Sequence, residues 1–213
     1  SLIPTTVGIL GPAFLVPVAM GLLFIALSIF VALNFRSVWS YLVLFIFTCF
    51  LLSMHAATAV GLVIILAPYI LLKLRKEWKH SLGMLLAMGI PFLVPFPWIF
   101  HMLLPTAKSL LIHRTLPTYI GYPETLDIFG QLPALLCVLG VFLLARKGGK
   151  RSYGLILGLF ALLVMQVTYS KFHHGIPIMF DLGWMYLWLM MSIIAGCGLM
   201  GVRDVRLPQK LVI

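Results

Sequence analysis

The sequence predicts an all-α membrane protein, a polytopic transmembrane bundle of about seven spanning helices, from three observations. Of the 213 residues, 62% are hydrophobic and only 9% are charged, whereas soluble domains carry about 25% charged residues. The chain also divides into apolar runs close to the roughly 20 residues that a helix needs to cross a bilayer. Finally, connections rich in lysine and arginine alternate with connections poor in them. We therefore predict a single multi-pass transmembrane domain over residues 1–213 in a cell membrane.

The predicted spans follow one another with charged or polar connections between them. Residues 38–72 contain no charged side chain, but one helix over this stretch would be about 52 Å long, and a hydrocarbon core is only about 30 Å thick. The stretch is therefore predicted to fold back as a hairpin near His55. The complete set of predicted spans is 10–33, 38–54, 56–72, 82–104, 126–145, 153–169 and 182–202.

The distribution of lysine and arginine predicts the orientation of the chain, because cytoplasmic loops carry an excess of these residues. One side of the predicted bundle has only Lys108, Arg114 and Lys171, which are balanced by an equal number of acidic residues. The net charge of +10 therefore reflects topology and attraction to anionic lipid, not binding of nucleic acid. We predict that the chain starts outside and ends in the cytoplasm. The cytoplasmic side holds Arg36, Lys73, Arg75, Lys76, Lys79, Arg146, Lys147, Lys150, Arg151, Arg203, Arg206 and Lys210.

The start of the chain does not have the pattern of a cleaved signal peptide. The first residue is Ser1, and the first apolar run is too long and preceded by too little positive charge. We expect the chain to be the carboxy-terminal part of a larger protein. The missing upstream half is then a partner that holds part of the chemistry.

Prolines interrupt two of the predicted spans. Pro12 and Pro17 lie in the first, and Pro91, Pro95 and Pro97 lie in the fourth. Each proline leaves a backbone carbonyl without its usual donor, and lipid cannot supply one. The preferred interpretation is a kink that shapes helix packing; the alternative is a wet cavity wall in the outer half of the bundle.

The histidine and cysteine pattern predicts no haem, zinc site or disulfide. All three cysteines lie inside apolar runs, where a thiol behaves as a small hydrophobic group. His173 and His174 are adjacent and cannot easily chelate one ion together, and neither His-x-x-x-His nor Cys-x-x-Cys spacing occurs. No cofactor is predicted for this chain.

The candidate site lies in two long polar segments, 105–125 and 170–181, on the predicted outer side. The cytoplasmic connections are short and are interpreted as topology anchors only. The outer basic side chains resemble what the phosphate of a lipid-linked substrate needs, namely fixed donors at the membrane boundary. The alternative is that these cations simply reach to the interface from the ends of spans. The candidate lipid-phosphate ligands are Arg114, Lys171, His173 and His174.

The outer carboxylates of Glu124, Asp127 and Asp181 are possible acidic contributors. One of them could act as a general base or hold a divalent ion, since both roles need an ionised oxygen near the reacting group. The preferred interpretation is that Asp127 and Asp181 cap outer helix starts, where the helix dipole favours an anion.

Short segments along most of the chain resemble GT-C-type membrane glycosyltransferases that depend on polyprenyl-phosphate sugars. These segments are IPTTVGILGP (3–12), SMHAATA (53–59), MYLWL (185–189) and AGCGL (195–199). The likeness is to the middle and late portions of the family, especially to its uncharacterised archaeal and bacterial members.

The resemblance implies a polytopic enzyme that moves a sugar from a polyprenyl-phosphate carrier to an acceptor on the non-cytoplasmic face. In this family an acidic motif in the first outer loop supplies the catalytic base or a metal ligand. The catalytic carboxylate, and any divalent cation of the full-length enzyme, are therefore expected upstream of Ser1, and the fragment alone is expected to be inactive. Family members often carry an arginine just before the last span. Residues 181–184 have none, and Lys171 is the nearest cation.

Two other classes of protein stay open. A membrane transporter is expected to carry ionisable groups at mid-membrane or a repeated half, and the sequence shows neither. A non-catalytic scaffold subunit of a membrane complex requires only helix faces that pack closely. Small residues that predict such faces are Gly154, Gly158, Gly196, Gly198 and Gly201.

Overall fold

A computed structural model describes residues 12–54, 56–93, 130–172 and 177–204, and these residues form seven α-helices and no strand. The all-α class predicted from the sequence is confirmed. The helices are α1 (Pro12–Asn34), α2 (Val38–Met54), α3 (Ala56–Leu74), α4 (Trp78–Leu93), α5 (Gln131–Lys147), α6 (Lys150–Phe172) and α7 (Pro177–Asp204).

Three of the described helices are long and apolar enough to cross a membrane. They contain the stretches Ala56–Leu74, Lys150–Tyr169 and Leu182–Met200, each about 28 to 30 Å long at 1.5 Å per residue. Shorter apolar stretches cover Ala19–Asn34 and Val38–Met54. The lengths of the three longer stretches are close to the thickness of a hydrocarbon core.

The predicted hairpin in the first half of the chain is present as two separate helices. The helix α2 ends at Met54 and α3 begins at Ala56, and the two helices contact each other. His55 itself lies outside the described residues. The uncharged run from 38 to 72 is thus divided where the length of a bilayer-spanning helix requires it.

Several helices are longer than the predicted spans. The helix α3 continues to Leu74, α6 begins at Lys150, and α7 begins at Pro177. The predictions counted apolar residues only, but a helix satisfies its own backbone hydrogen bonds and continues into polar sequence. Proline at the first position of α7 fits because its missing N–H has no acceptor there. The predicted spans 10–33 and 82–104 lie partly outside the described residues, as does the start of 126–145.

Local side chains and glycines explain why helices begin and end where they do. Ser37 precedes α2, and its hydroxyl accepts a hydrogen bond from the N–H of Ser40 at 3.4 Å, as an N-cap does. Gly148 and Gly149 have φ angles of 67° and 97°, which residues with a Cβ atom rarely adopt. These two glycines let α5 end and α6 begin within a tight turn.

The helix α3 lies at the centre of the bundle. It contacts α1, α2, α4, α6 and α7, and Leu62, Ile65 and Leu66 on α3 are almost fully buried. The helix α5 packs mainly against α7, and α2 packs mainly against α4. One continuous apolar core joins residues of all seven helices.

Small residues permit close helix packing at two of these contacts. Any Cβ placed on Gly140 of α5 would overlap the backbone carbonyl of Ile194 on α7, and Gly198 of α7 packs against Gly140 itself. A Cβ on Gly158 of α6 would lie 2.7 Å from the carbonyl oxygen of Ile65. The packing role predicted for Gly158 and Gly198 is therefore confirmed. Gly154 likewise packs against Tyr69, but Gly196 has nothing within 4 Å, and the surroundings of Gly201 are not among those described.

The connections between helices gather at two ends of the bundle. We call one the lysine-rich end; it comprises connections 34–38, 74–78 and 147–150, with the adjacent helix ends. The other, the loop end, comprises the helix ends at Met54, Ala56, Leu93, Gln131, Phe172 and Pro177. The outward faces between the two ends carry large apolar side chains, including Phe30, Leu135, Phe142 and Phe160. Helices that are apolar on inward and outward faces alike are typical of a membrane environment.

Candidate functional site

Most of the site residues predicted from the sequence lie outside the described residues. This is the case for Arg114, Glu124, Asp127, His173 and His174. Of the predicted set, the structure places Lys171 in the last turn of α6, where it is exposed, and Asp181 in α7. Both positions lie at the loop end.

The capping role predicted for Asp181 is wrong. The helix α7 begins at Pro177, and its first turn contains no acidic residue. Asp181 is therefore past the exposed N–H groups that a capping carboxylate contacts. The prediction failed because it placed the start of α7 at Leu182, where the apolar run begins.

Buried polar side chains lie just inside the loop end. We call Thr58, Gln166, Tyr169 and Tyr186 the loop-end polar cluster; all four are buried, and Thr58 and Tyr186 are each 1% exposed. The hydroxyl of Tyr186 on α7 donates a hydrogen bond to Oγ1 of Thr58 on α3, at 3.1 Å. Buried polar groups in an apolar bundle are costly unless they are hydrogen-bonded, so this pair fixes α3 against α7.

Glycines allow the members of this cluster to approach their neighbours. A Cβ on Gly61 would lie 2.7 Å from the ring of Tyr186, and one on Gly21 of α1 would lie 2.9 Å from the methyl group of Thr58. A Cβ on Gly183 would overlap the side-chain amide of Gln166. The cluster is thus enclosed by α1, α3, α6 and α7.

The sequence analysis did not single out this cluster, although one signal pointed to it. Gln166 is an amide inside the predicted span 153–169, and a polar group at that depth needs a partner in protein. Thr58 lies in the SMHAATA segment and Tyr186 in the MYLWL segment. The cluster holds hydroxyl and amide groups, which position and donate hydrogen bonds but are poor general bases near neutral pH.

A second polar cluster, at the lysine-rich end, was not predicted. Glu77 lies between α3 and α4, and its Oε2 is 3.3 Å from Nη1 of Arg36 and 3.4 Å from Nζ of Lys73. Lys73 is only 2% exposed, and its ammonium group also lies 4.7 Å from the centre of the Tyr69 ring. The carboxylate and the ring face compensate a buried charge that would otherwise be costly. The interpretation of the cytoplasmic connections as topology anchors only is therefore incomplete.

The acid–base properties of Glu77 follow from its neighbours. Removal from water would by itself raise the pKa of Glu77, but the charges of Lys73 and Arg36 outweigh this effect and hold the pKa below its usual value. The carboxylate is ionised at neutral pH and bridges the α1–α2 connection to the α3–α4 connection.

A histidine and a tyrosine extend this cluster. Nδ1 of His80 lies 2.5 Å from the hydroxyl of Tyr41. Burial, followed by the charges of Lys73 and Arg36, lowers the pKa of His80, against a smaller opposing effect of Glu77. The lowered pKa favours the neutral ring at pH 7, and the tautomer of that ring decides whether the Tyr41 hydroxyl or Nδ1 is the donor.

These side chains line an open cleft of about 410 Å³, which we call the basic cleft. The cleft contains three exposed or partly exposed cations, one carboxylate already paired with Arg36 and Lys73, and two aromatic rings. Its lining residues are Arg36, Tyr41, Lys76, Glu77, Trp78, Lys79 and His80. In the part of the chain that the structure describes, no group of three His, Cys, Asp or Glu residues is placed to hold a metal ion.

Comparisons with known proteins identify no relative of this chain. No model of a known family, no curated protein and no solved structure matches the chain.

Proposed function

We propose that the chain is a multi-pass protein of the cell membrane that crosses the bilayer seven times, starting outside and ending in the cytoplasm. The apolar outward faces of the helices support this proposal, because exposure of such large apolar surfaces to water is unfavourable. Three of the described helices are long and apolar enough to cross a bilayer, which supports the membrane location. The connections with most lysine and arginine meet at one end of the bundle, as the Arg36–Glu77 contact requires, and this end is the cytoplasmic one by the positive-inside rule.

We further propose that the chain is the carboxy-terminal part of a GT-C-type glycosyltransferase. The enzyme would move a sugar from a polyprenyl-phosphate carrier to an acceptor on the non-cytoplasmic face. The proposal rests on the resemblance of the short segments, and the contact between Tyr186 and Thr58 supports it in that it places two of them, 53–59 and 185–189, side by side near the loop end.

In this proposal the loop end is the working surface. Lys171, with Arg114, His173 and His174 from the outer segments, binds the phosphate of the lipid-linked donor and stabilises the charge left on it. The loop-end polar cluster holds α3, α6 and α7 in place under that surface. The catalytic carboxylate, and any divalent cation that the full-length enzyme uses, come from the upstream half.

The test is sugar transfer by the full-length protein in lipid nanodiscs, with a radiolabelled polyprenyl-phosphate sugar and the variants Lys171→Ala and Arg114→Ala. Each variant is expected to lower kcat/KM at least tenfold, because a charge-assisted phosphate contact contributes roughly 1.5–3 kcal/mol. Lys147→Ala removes one exposed cation at the lysine-rich end and is the matched control. Unchanged transfer in both outer variants, or no transfer with any such donor, would refute the proposal.

A further inference from the structure

We propose that the basic cleft at the lysine-rich end binds a phosphate group, carried either by an anionic phospholipid headgroup or by a soluble phosphorylated molecule. This site lies on the opposite side of the bundle from the proposed transfer surface. The phosphate-binding proposal does not depend on the glycosyltransferase proposal. Only the statement that the site faces the cytoplasmic leaflet depends on the proposed orientation.

The first argument is the charge that remains after internal pairing. Among the described residues, Glu77 is the only carboxylate lining the cleft, and it is already shared between Arg36 and Lys73. Lys76 and Lys79 are exposed and are members of no ion pair among the described residues. The cleft therefore keeps a positive excess that an anion neutralises, and phosphate accepts several charge-assisted hydrogen bonds at once.

The second argument is a ring nitrogen that lies in the cleft wall without a hydrogen-bond partner among the described residues. Nε2 of His80 is buried and has no hydrogen-bond partner in the part of the chain that the structure describes. Nδ1 is hydrogen-bonded to the Tyr41 hydroxyl, so Nε2 is the ring nitrogen that remains without a partner. A buried polar atom without a partner is unfavourable, and a phosphate bound in the cleft pairs with Nε2 once a shift of the surrounding side chains exposes this atom.

The third argument is the position of the cleft at the start of a helix. Trp78, Lys79 and His80 are the first three residues of α4, where the helix dipole favours negative charge. Trp78 is 58% exposed, and Nζ of Lys79 lies 5.9 Å from its ring centre. Exposed tryptophan next to lysine is typical of the headgroup region of a bilayer, and this favours a lipid phosphate as the ligand of the cleft.

The test measures tightly bound lipid and free phosphate separately. The full chain is reconstituted in nanodiscs of neutral phosphatidylcholine, and phosphatidylglycerol is titrated in and its retention followed by native mass spectrometry. In a second arm, inorganic phosphate is titrated into the neutral nanodiscs and followed by calorimetry. The variant Lys76→Gln/Lys79→Gln removes two cleft cations without touching the Arg36–Glu77–Lys73 network. Arg146→Gln/Lys147→Gln removes two exposed cations at the same end, outside the cleft, and is the matched control.

We expect the cleft variant to bind phosphatidylglycerol at least tenfold more weakly and the control variant to change less than twofold. Binding of the lipid alone assigns the site to a headgroup, and binding of inorganic phosphate that is lost in the cleft variant assigns it to a soluble ligand. Equal losses in the two variants would mean that only diffuse surface charge acts, and this result would overturn the proposal. Absence of binding in both arms would overturn it as well. Equal thermal midpoints of the variants in neutral nanodiscs verify that both are folded.

Discussion

Tyr186 and Thr58 are 128 positions apart in the sequence, yet the phenol of one donates a hydrogen bond to the hydroxyl of the other inside the bundle. The bond connects the central helix α3 to the last helix α7, and the ring of Tyr186 packs closely over Gly61. It is therefore a sensitive point at which to test the arrangement of the helices.

Tyr186→Phe is expected to lower the free energy of unfolding by about 0.5–1.5 kcal/mol, the usual net contribution of one hydrogen bond. The change keeps the ring in place and removes only the hydroxyl. Thermal unfolding in detergent measures the effect. The double variant Tyr186→Phe/Thr58→Val is expected to lose less than the sum of the two single variants, and strict additivity would show that the two side chains do not interact.

The close contact between α5 and α7 predicts unequal effects for two glycines. Gly140→Ala is expected to destabilise the protein by about 1–3 kcal/mol, because the added methyl group meets the backbone of α7 and forces the helices apart. Gly196→Ala is the matched control, since nothing lies within 4 Å of the added atom, and it is expected to be neutral or slightly stabilising. Equal thermal midpoints for the two variants would contradict the packing.

The buried ammonium group of Lys73 depends on the carboxylate of Glu77. Breaking a fully buried pair costs about 3–5 kcal/mol, but the Glu77 side chain is 28% exposed, so Glu77→Gln is expected to cost about 1–2 kcal/mol of unfolding free energy. Lys73→Met/Glu77→Leu removes both charges and is expected to be more stable than Glu77→Gln alone. The opposite order in thermal unfolding would show that the pair is not coupled.

The same cluster predicts how stability depends on mild acid. The pKa of His80 is lowered in the folded protein from its usual value of 6.5, so the unfolded chain binds a proton more readily than the folded one. The contribution of neutral His80 is fully present above pH 6.5 and is lost as the pH falls through the folded pKa. We expect the thermal midpoint to fall between pH 7 and 5, and to fall less in His80→Gln. Arg36, Lys73, Glu77 and Tyr41 surround the ring and stay unchanged in this comparison.

The proposed orientation predicts which residues a membrane-impermeant reagent reaches. In a background with Cys49, Cys137 and Cys197 replaced by alanine, Lys171→Cys is expected to react from outside intact cells. Lys147→Cys, at the lysine-rich end, is expected to react only after the membrane is opened. The readout is labelling with a charged maleimide. If position 171 were labelled only from the cytoplasm, the proposed orientation and the proposed working surface would both be wrong.

The sequence alone was sufficient to predict the all-α class and the approximate positions of the described helices, because uncharged runs of suitable length mark them, but it did not predict where several of them begin and end. The division at Met54 and Ala56 and the seven described helices follow from that reasoning. It was not sufficient to predict which helices are neighbours, since apolar faces of similar composition can pack in many ways. Only the close approaches at Gly154, Gly158 and Gly198 were predicted beforehand, from small residues on one helix face.

The candidate sites were harder to anticipate, and for a different reason. The sequence analysis assigned the cations at the lysine-rich end to topology, because their number alone gives the orientation. The role of Glu77 emerges only when the α1–α2 and α3–α4 connections are adjacent, so that Arg36 and Lys73 share one carboxylate. Thr58 and Tyr186 likewise become a pair only through the packing of α3 against α7.

The central position of α3 has a consequence for how the protein is made. The helix leaves the ribosome before α6 and α7, which later cover much of its surface. Until then, the Thr58 hydroxyl lies in an incomplete bundle without the phenol of Tyr186. If the chain is inserted in a membrane as proposed, we expect a stage of synthesis in which lipid or an insertion factor shields α3, and truncations that remove α7 are expected to be degraded by membrane quality control.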